Sequence, residues 1–304
     1  MPPKTLIVLL GPTGVGKTEL SLQLAEHFGV PILNADSRQV FRDMPIGTAA
    51  PTPEQLARVR HYFVAMLAPG EYYSAARFEQ DALQVLRNHF QDHSAALLSG
   101  GSMLYIDAVC DGIDDIPTVS DSVREHLRHK LQQEGLAPLR RELQAADPEY
   151  YAHTDLQNPR RIVHALEIFL TSGRPYSSFL HQEKPARPFR ILKIGLRRDR
   201  SELFDRINRR VDQMMADGLL EEARRLLPLR HTNALRTVGY NELFRHLDGE
   251  WPLEMAVERI KKNTRVYAKK QMTWFQRDAR IHWFHPDQIG EIMRFVEENT
   301  DSVI

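Results

Sequence analysis

The octamer from Gly11 to Thr18, GPTGVGKT, constrains this chain more than any other stretch. It matches G-x-x-x-x-G-K-[ST], with Gly11, Gly16, Lys17 and Thr18 in the fixed places. Such a loop turns backbone N–H groups toward phosphate oxygens, while its lysine adds a point charge and its hydroxyl reaches Mg²⁺. Gly11, Pro12, Thr13, Gly14, Val15, Gly16, Lys17 and Thr18 are therefore candidate diphosphate ligands, with Thr18 the candidate for the metal. The surroundings agree. An apolar run, Thr5 to Leu10, precedes the loop, and a helical pattern with Leu20, Leu24 and Phe28 on one face follows, stopping at Gly29. The loop itself recognises only a diphosphate and a metal, so it leaves open which molecule carries the phosphates.

Further β-like runs at 30–34, 95–98 and 191–195 alternate with longer helical stretches, which argues for a parallel sheet covered by helices. The texture changes after the acidic, turn-like stretch Asp111 to Asp115. Residues 121–180 carry helical patterns and no convincing strand. The sequence thus predicts an α/β fold, a P-loop NTPase-like parallel sheet flanked by helices, built from 1–118 and 191–304. An all-helical domain is inserted over 119–190.

Composition removes some function classes. Formal net charge is zero over 304 residues, so no chain-wide basic field announces a nucleic-acid partner. Any such surface must be local, and the most basic segment is 258–280, with eight Lys or Arg against Glu258 and Asp278. On a helix, Ile260, Thr264, Tyr267, Gln271 and Trp274 would line one stripe and Lys262, Arg265 and Lys269 another. That basic stripe is either a solvated face or a polyanion surface. Cys110 stands alone, which excludes an intrachain disulfide framework and a multi-cysteine zinc site. No apolar run reaches the length of a membrane span, and a soluble, cytoplasmic protein is expected.

In a doubly wound sheet, ligands sit at the carboxyl ends of the strands. Three such ends are informative here. Besides the phosphate loop, the run Pro31 to Leu33 leads into Asn34-Ala-Asp36-Ser37-Arg38-Gln39, and Ala95 to Leu98 leads into Ser99-Gly100-Gly101-Ser102. Asp36 is either a catalytic base or a helix N-cap. Arg38 and Gln39 carry the donors and acceptors that read a base edge. The third loop lacks the carboxylate with which an ATPase commonly helps to hold Mg²⁺, and offers two glycines and the Ser102 hydroxyl instead.

Taken together, GPTGVGKT, NADSRQVFRDMPIGTAAP (34–51), SGGSMLY (99–105), NPRRIVHALEI (158–168), VGY (238–240) and TRVYAKKQMTWF (264–275) resemble the tRNA dimethylallyltransferases, also called tRNA isopentenyltransferases. The resemblance runs from about residue 5 to 285. It implies transfer of a dimethylallyl group from dimethylallyl diphosphate to N6 of the adenosine beside the anticodon's 3′ end, with Mg²⁺ as cofactor. By motif position, it implies that Asp36 is the catalytic carboxylate and that Asp36, Ser37, Arg38 and Gln39 meet tRNA. It also makes Ser102, standing where most relatives have Thr, and Arg124 catalytic candidates, and Arg210 a diphosphate ligand. Arg160, Arg161, Ile162, Val163 and His164 fall on the segment that meets the anticodon stem-loop. A compact, bacterial-type, monomeric enzyme is implied, with no zinc finger after 285.

This chain departs from the family pattern at Asn158, Arg160, His164 and Gln276, which bears on the detailed tRNA contacts rather than on the reaction. Three other readings compete: an ATP-using small-molecule kinase, a prenyltransferase acting on free adenine nucleotides, and a non-catalytic RNA-binding module.

Overall fold

A computed structural model describes residues 4–114, 116–117, 119–180 and 186–300. Asp115, the last residue of the acidic turn expected from sequence, lies outside the described residues. The chain folds as two compact units, one formed by Met1–Asp111 with Arg187–Ile304 and the other by Gly112–Ala186. Sequence analysis had placed the insertion at 119–190, whereas the sheet already resumes at Arg190.

The larger unit is built on six strands: β1 (Thr5–Leu10), β2 (Ile32–Ala35), β3 (His61–Tyr62), β4 (Ala95–Gly100), β5 (Arg190–Leu196) and β6 (Ile281–Phe284). All pair in parallel, in the order β3-β2-β4-β1-β5-β6. The uninterrupted apolar run of β1 follows from burial on both faces. Leu6, Val8 and Leu10 join one hydrophobic cluster, while Ile7 and Leu9 join another. Helices Ala75–His89 and Met103–Asp111 cover the first face. Lys17–Phe28 and Ile289–Asn299 cover the second.

Two helices contribute to both clusters. Arg200–Ala216 supplies Leu203 and Ile207 to one and Val211 to the other, and Leu253–Phe275 supplies Ile260 and Phe275 to one and Ala268 to the other. They therefore pass across an edge of the sheet rather than lying on one face, which brings polar residues from both to the strand ends. Strands β3 and β6 were not expected from sequence. A two-residue strand leaves no alternation to read, and β6 is a short edge strand beginning only a few residues beyond the long helix.

In the smaller unit, helices Asp121–Glu134, Leu136–Ala146, Pro148–His153 and Pro159–Ser172 close around Leu127, Leu139, Leu143, Ile162, Ala165 and Leu166. Capping side chains set these boundaries. The Ser120 hydroxyl accepts from Val123 N–H, and the Asp147 carboxylate, 1% exposed, accepts from Tyr150 N–H and from the backbone and hydroxyl of Ser177.

Candidate active site

Strand order explains why three loops meet. β2, β4 and β1 are neighbours, all parallel, and their ends are level: Gly100 pairs with both Leu10 and Ala35. The loops that follow them therefore leave the same edge of the sheet side by side, with the Gly-Gly loop in the middle.

Two carbonyls of the phosphate loop are held by arginines. Arg206 Nε donates to Gly14 O at 3.0 Å and Arg198 Nε donates to Val15 O at 2.9 Å. A loop of this kind offers its unengaged amides as an anion-binding concavity; Val15 N–H is already engaged by Pro12 O. Gly16, the N-cap of Lys17–Phe28, sits at φ 113°, a backbone conformation that side chains disfavour, so the invariant spacing of the motif has a steric cause here. Arg210, one helical turn beyond Arg206, has a guanidinium nitrogen 3.4 Å from Thr13 Oγ1.

Lys17 Nζ donates to Gly11 O and Pro12 O, each at 2.9 Å. Loss of hydration pulls this ammonium down to about 8; Asp36 opposes the shift and Arg210 adds to it. Thr18 is exposed at the start of its helix.

Asp36 caps no helix. Its Oδ1 accepts from Arg38 N–H at 2.9 Å, closing a local turn, and the next helix begins only at Pro45. The electrostatic influence of Asp36 reaches Lys17, Arg38, Arg210, Tyr105 and Tyr267, so one carboxylate stands amid three cations and two phenols. Burial, assisted by Asp36, pushes the Tyr267 phenol up to about 12. Burial also lowers Arg38 and Arg210 from the usual arginine range, against the pull of Asp36.

Ser102 braces this turn. Its Oγ, in a residue 8% exposed, accepts from Ser37 N–H at 2.8 Å and donates to Ser37 Oγ at 3.1 Å. The Arg38 guanidinium donates to Asn233 O at 2.7 Å, and the Gln39 amide donates to Thr48 O and Ala49 O. Those two carbonyls belong to a segment fixed from below. Glu222, 0% exposed, accepts from Ile46 N–H, Gly47 N–H and the Tyr240 hydroxyl.

The remaining sequence candidates lie in the helical unit. Arg124 is half-buried on Asp121–Glu134, in the helical unit. On Pro159–Ser172, Arg160, Arg161 and His164 are exposed. Ile162 is 0% exposed in that unit's core and Val163 packs against it, so these two side chains serve packing rather than presentation.

Sequence reasoning missed Arg198, Arg206 and Glu222, and it saw Gln271 only as a member of a stripe. Arg206 was legible, being four residues before Arg210 on a helical pattern. Gln271 also carried a signal, since a polar residue on an otherwise buried stripe calls for partners. Nothing in sequence marked Glu222.

A family model described as IPP transferase matches residues 39–278. A curated relative, the tRNA dimethylallyltransferase 1 of Phocaeicola vulgatus, is 60% identical over 294 residues, 97% of this chain and 98% of its own length. The chain belongs to the IPP transferase family. The tRNA dimethylallyltransferase of Christiangramia forsetii is 48% identical over 98% of this chain and 99% of its own. Among solved structures, the full-length tRNA isopentenylpyrophosphate transferase of Bacillus halodurans is similar with a TM-score of 0.71 and 34% identity, covering 98% of this chain and 97% of that one. A eukaryotic dimethylallyltransferase acting on tRNA reaches a TM-score of 0.74 at 26% identity, covering 89% of this chain and 69% of that one. The family resemblance drawn from motifs is thereby established, the fold class with it, and the protein is a transferase.

Proposed function

We propose that this protein transfers the dimethylallyl group of dimethylallyl diphosphate to N6 of the adenosine on the 3′ side of the anticodon in tRNA. One observation carries the chemistry: a phosphate loop and a carboxylate, Asp36, stand at neighbouring strand ends, and the strand end between them bears glycines and a serine but no acid. A nucleotide hydrolase or kinase commonly places a metal-binding acid in that position.

The donor carbon is allylic and the N6 lone pair is delocalised into the adenine ring, so departure of the diphosphate must be assisted. The bond from the allylic carbon to the diphosphate oxygen breaks, the bond to N6 forms, and the proton lost from N6 goes to Asp36. Amides of the phosphate loop, Lys17 and Arg210 stabilise the charge that builds on the departing diphosphate; a single missing donor in such a preorganised site costs about 3–4 kcal/mol of barrier. Tyr267, 38% exposed, offers its ring to the acceptor base, whereas the Tyr105 ring is buried and stacked on Phe78 at 4.3 Å.

Mg²⁺ fits this site as a cofactor. The ion keeps few protein ligands and takes phosphate oxygens, and the exposed Thr18 hydroxyl is the protein oxygen beside the loop. When bound it neutralises diphosphate charge. For tRNA, the helical unit offers the exposed Arg160, Arg161 and His164 as phosphate contacts. The larger unit, taken by itself, offers the exposed Lys262 and Lys270 of its long helix. We propose that the enzyme acts as a monomer in the cytoplasm. Separately, no helix of the described residues is long and apolar enough to cross a membrane.

The test is a transfer assay with labelled dimethylallyl diphosphate, Mg²⁺ and a tRNA carrying consecutive adenosines after the anticodon, beside AMP and ATP. Label is expected on tRNA alone. Label on AMP and not on tRNA would reassign the protein to free nucleotides, and phosphoryl transfer from ATP would reassign it to the kinases.

A further inference from the structure

Gln271 is a buried polar side chain at the strand ends that the chemistry above leaves without a task. It is 2% exposed on the helix Leu253–Phe275. Its Oε1 accepts from Thr13 N–H at 2.9 Å and its Nε2 donates to Gly101 O at 2.8 Å. One planar amide thus ties the loop after β1 to the loop after β4. The fit is tight: a Cβ added at Gly101 would lie 2.6 Å from Gln271 Nε2 and 3.5 Å from Lys17 Nζ. The tie is therefore made right beside the ammonium. Thr13 is held from a second direction, because Arg210 approaches its hydroxyl.

We propose that Gln271 is a positioning residue of the donor site. It holds Thr13 and fixes the gap between the phosphate loop and the Gly100-Gly101 loop, so that Lys17 and the remaining amides meet a diphosphate already aligned. The inference rests on the phosphate loop being the diphosphate site. Residue chemistry explains the choice of side chain. Two backbone groups of opposite polarity, an N–H and a carbonyl, face each other across the gap, and a carboxamide satisfies both at once without charge. A carboxylate would satisfy only the N–H and would repel the ligand; a thioether would fill the volume and satisfy neither. With the tie removed, the ligand must order the loop itself, and that ordering is subtracted from its affinity.

The experiment compares the wild type with Gln271→Met and Gly101→Ala by calorimetric titration with inorganic diphosphate and Mg²⁺. Backbone amide exchange at Thr13 and the KM values for dimethylallyl diphosphate and tRNA are followed alongside. Gln271→Met keeps the volume; Gly101→Ala displaces the amide from the opposite side and serves if the first variant folds poorly. Both are expected to bind diphosphate roughly tenfold more weakly, the equivalent of one to two hydrogen bonds. Exchange at Thr13 accelerates, the KM for the donor rises by a similar factor, and the KM for tRNA stays within about twofold. Unchanged diphosphate affinity in a folded Gln271→Met protein overturns the inference and leaves the diphosphate site standing. An equal loss for donor and tRNA overturns it too, since that is the mark of general damage. A wild type that does not bind diphosphate overturns both.

Discussion

Lys17 is charged in most proteins at any physiological pH, yet here burial brings its ammonium down to about 8. The sign of the consequence is fixed by which form binds. A diphosphate favours the ammonium, so the bound site holds its proton to higher pH than the free one. Affinity is level below about pH 8 and falls by up to about tenfold per unit above it, until the bound site also titrates. Titration with dimethylallyl diphosphate between pH 7 and 9.5 checks this, with Lys17→Met as control, which is expected to bind weakly and without that bend. A wild-type profile flat to pH 9.5 would show that the ammonium is not lowered, and Lys17→Met binding as tightly as wild type would remove Lys17 from the site. At this scale the sequence was most legible where geometry is local. The phosphate loop is a fixed string because its turn demands a glycine at φ 113°, and Asp36 and Ser102 stand directly after strands. Glu222 and Gln271 were opaque because their partners lie far off: Glu222 meets Gly47, 175 residues away, and Gln271 meets Thr13, 258 residues away.

Elements position what single residues cannot. Glu222 sits in the helix Leu219–Leu226 and Tyr240 opens the helix Tyr240–Leu247, and both converge on the short helix Pro45–Thr48. Three donors face one carboxylate, and none is a cation: Ile46 N–H at 3.0 Å, Gly47 N–H at 2.7 Å and the Tyr240 hydroxyl at 2.7 Å. An acceptor-only group is required, because an amide would turn N–H toward N–H. Glu222→Gln is therefore expected to cost about 2 kcal/mol of stability by urea denaturation, and Tyr240→Phe about 1 kcal/mol. The carbonyls of Thr48 and Ala49, which hold the Gln39 amide, loosen with it. Unaltered stability in Glu222→Gln would show that the turn needs no anchor. The element most in need of revision is the basic segment 258–280. Its helix ends at Phe275, so Arg277, Asp278 and Arg280 lie beyond it. Lys261 pairs with Asp212 and Glu258, Arg265 bonds Asn208, and Arg259 and Lys269 lie over the rings of Trp251 and Phe204, while Lys262 and Lys270 are exposed. Amphipathic spacing showed which residues share a stripe, but it could not show which cations are already engaged by other elements.

At the scale of the molecule, the sheet is the part that sequence described best. Buried parallel strands read as continuous apolar runs, and the four central ones were visible for that reason, while the edge strands β3 and β6 were not. Strand order was not legible: nothing local says that β4 lies between β2 and β1. Yet that order is what sets Asp36 and the phosphate loop on either side of the Gly-Gly loop. The account therefore stands or falls on whether Asp36 performs chemistry in the assembled enzyme or merely closes a turn on Arg38 N–H. Asp36→Asn keeps an oxygen for that turn and removes the base. Single-turnover transfer of labelled dimethylallyl to tRNA, measured beside tRNA and diphosphate affinity, separates the two. Transfer is predicted to fall by about 10²–10⁴-fold with both affinities within about threefold of wild type; transfer at the wild-type rate, or a loss matched by equal losses in binding, would contradict it.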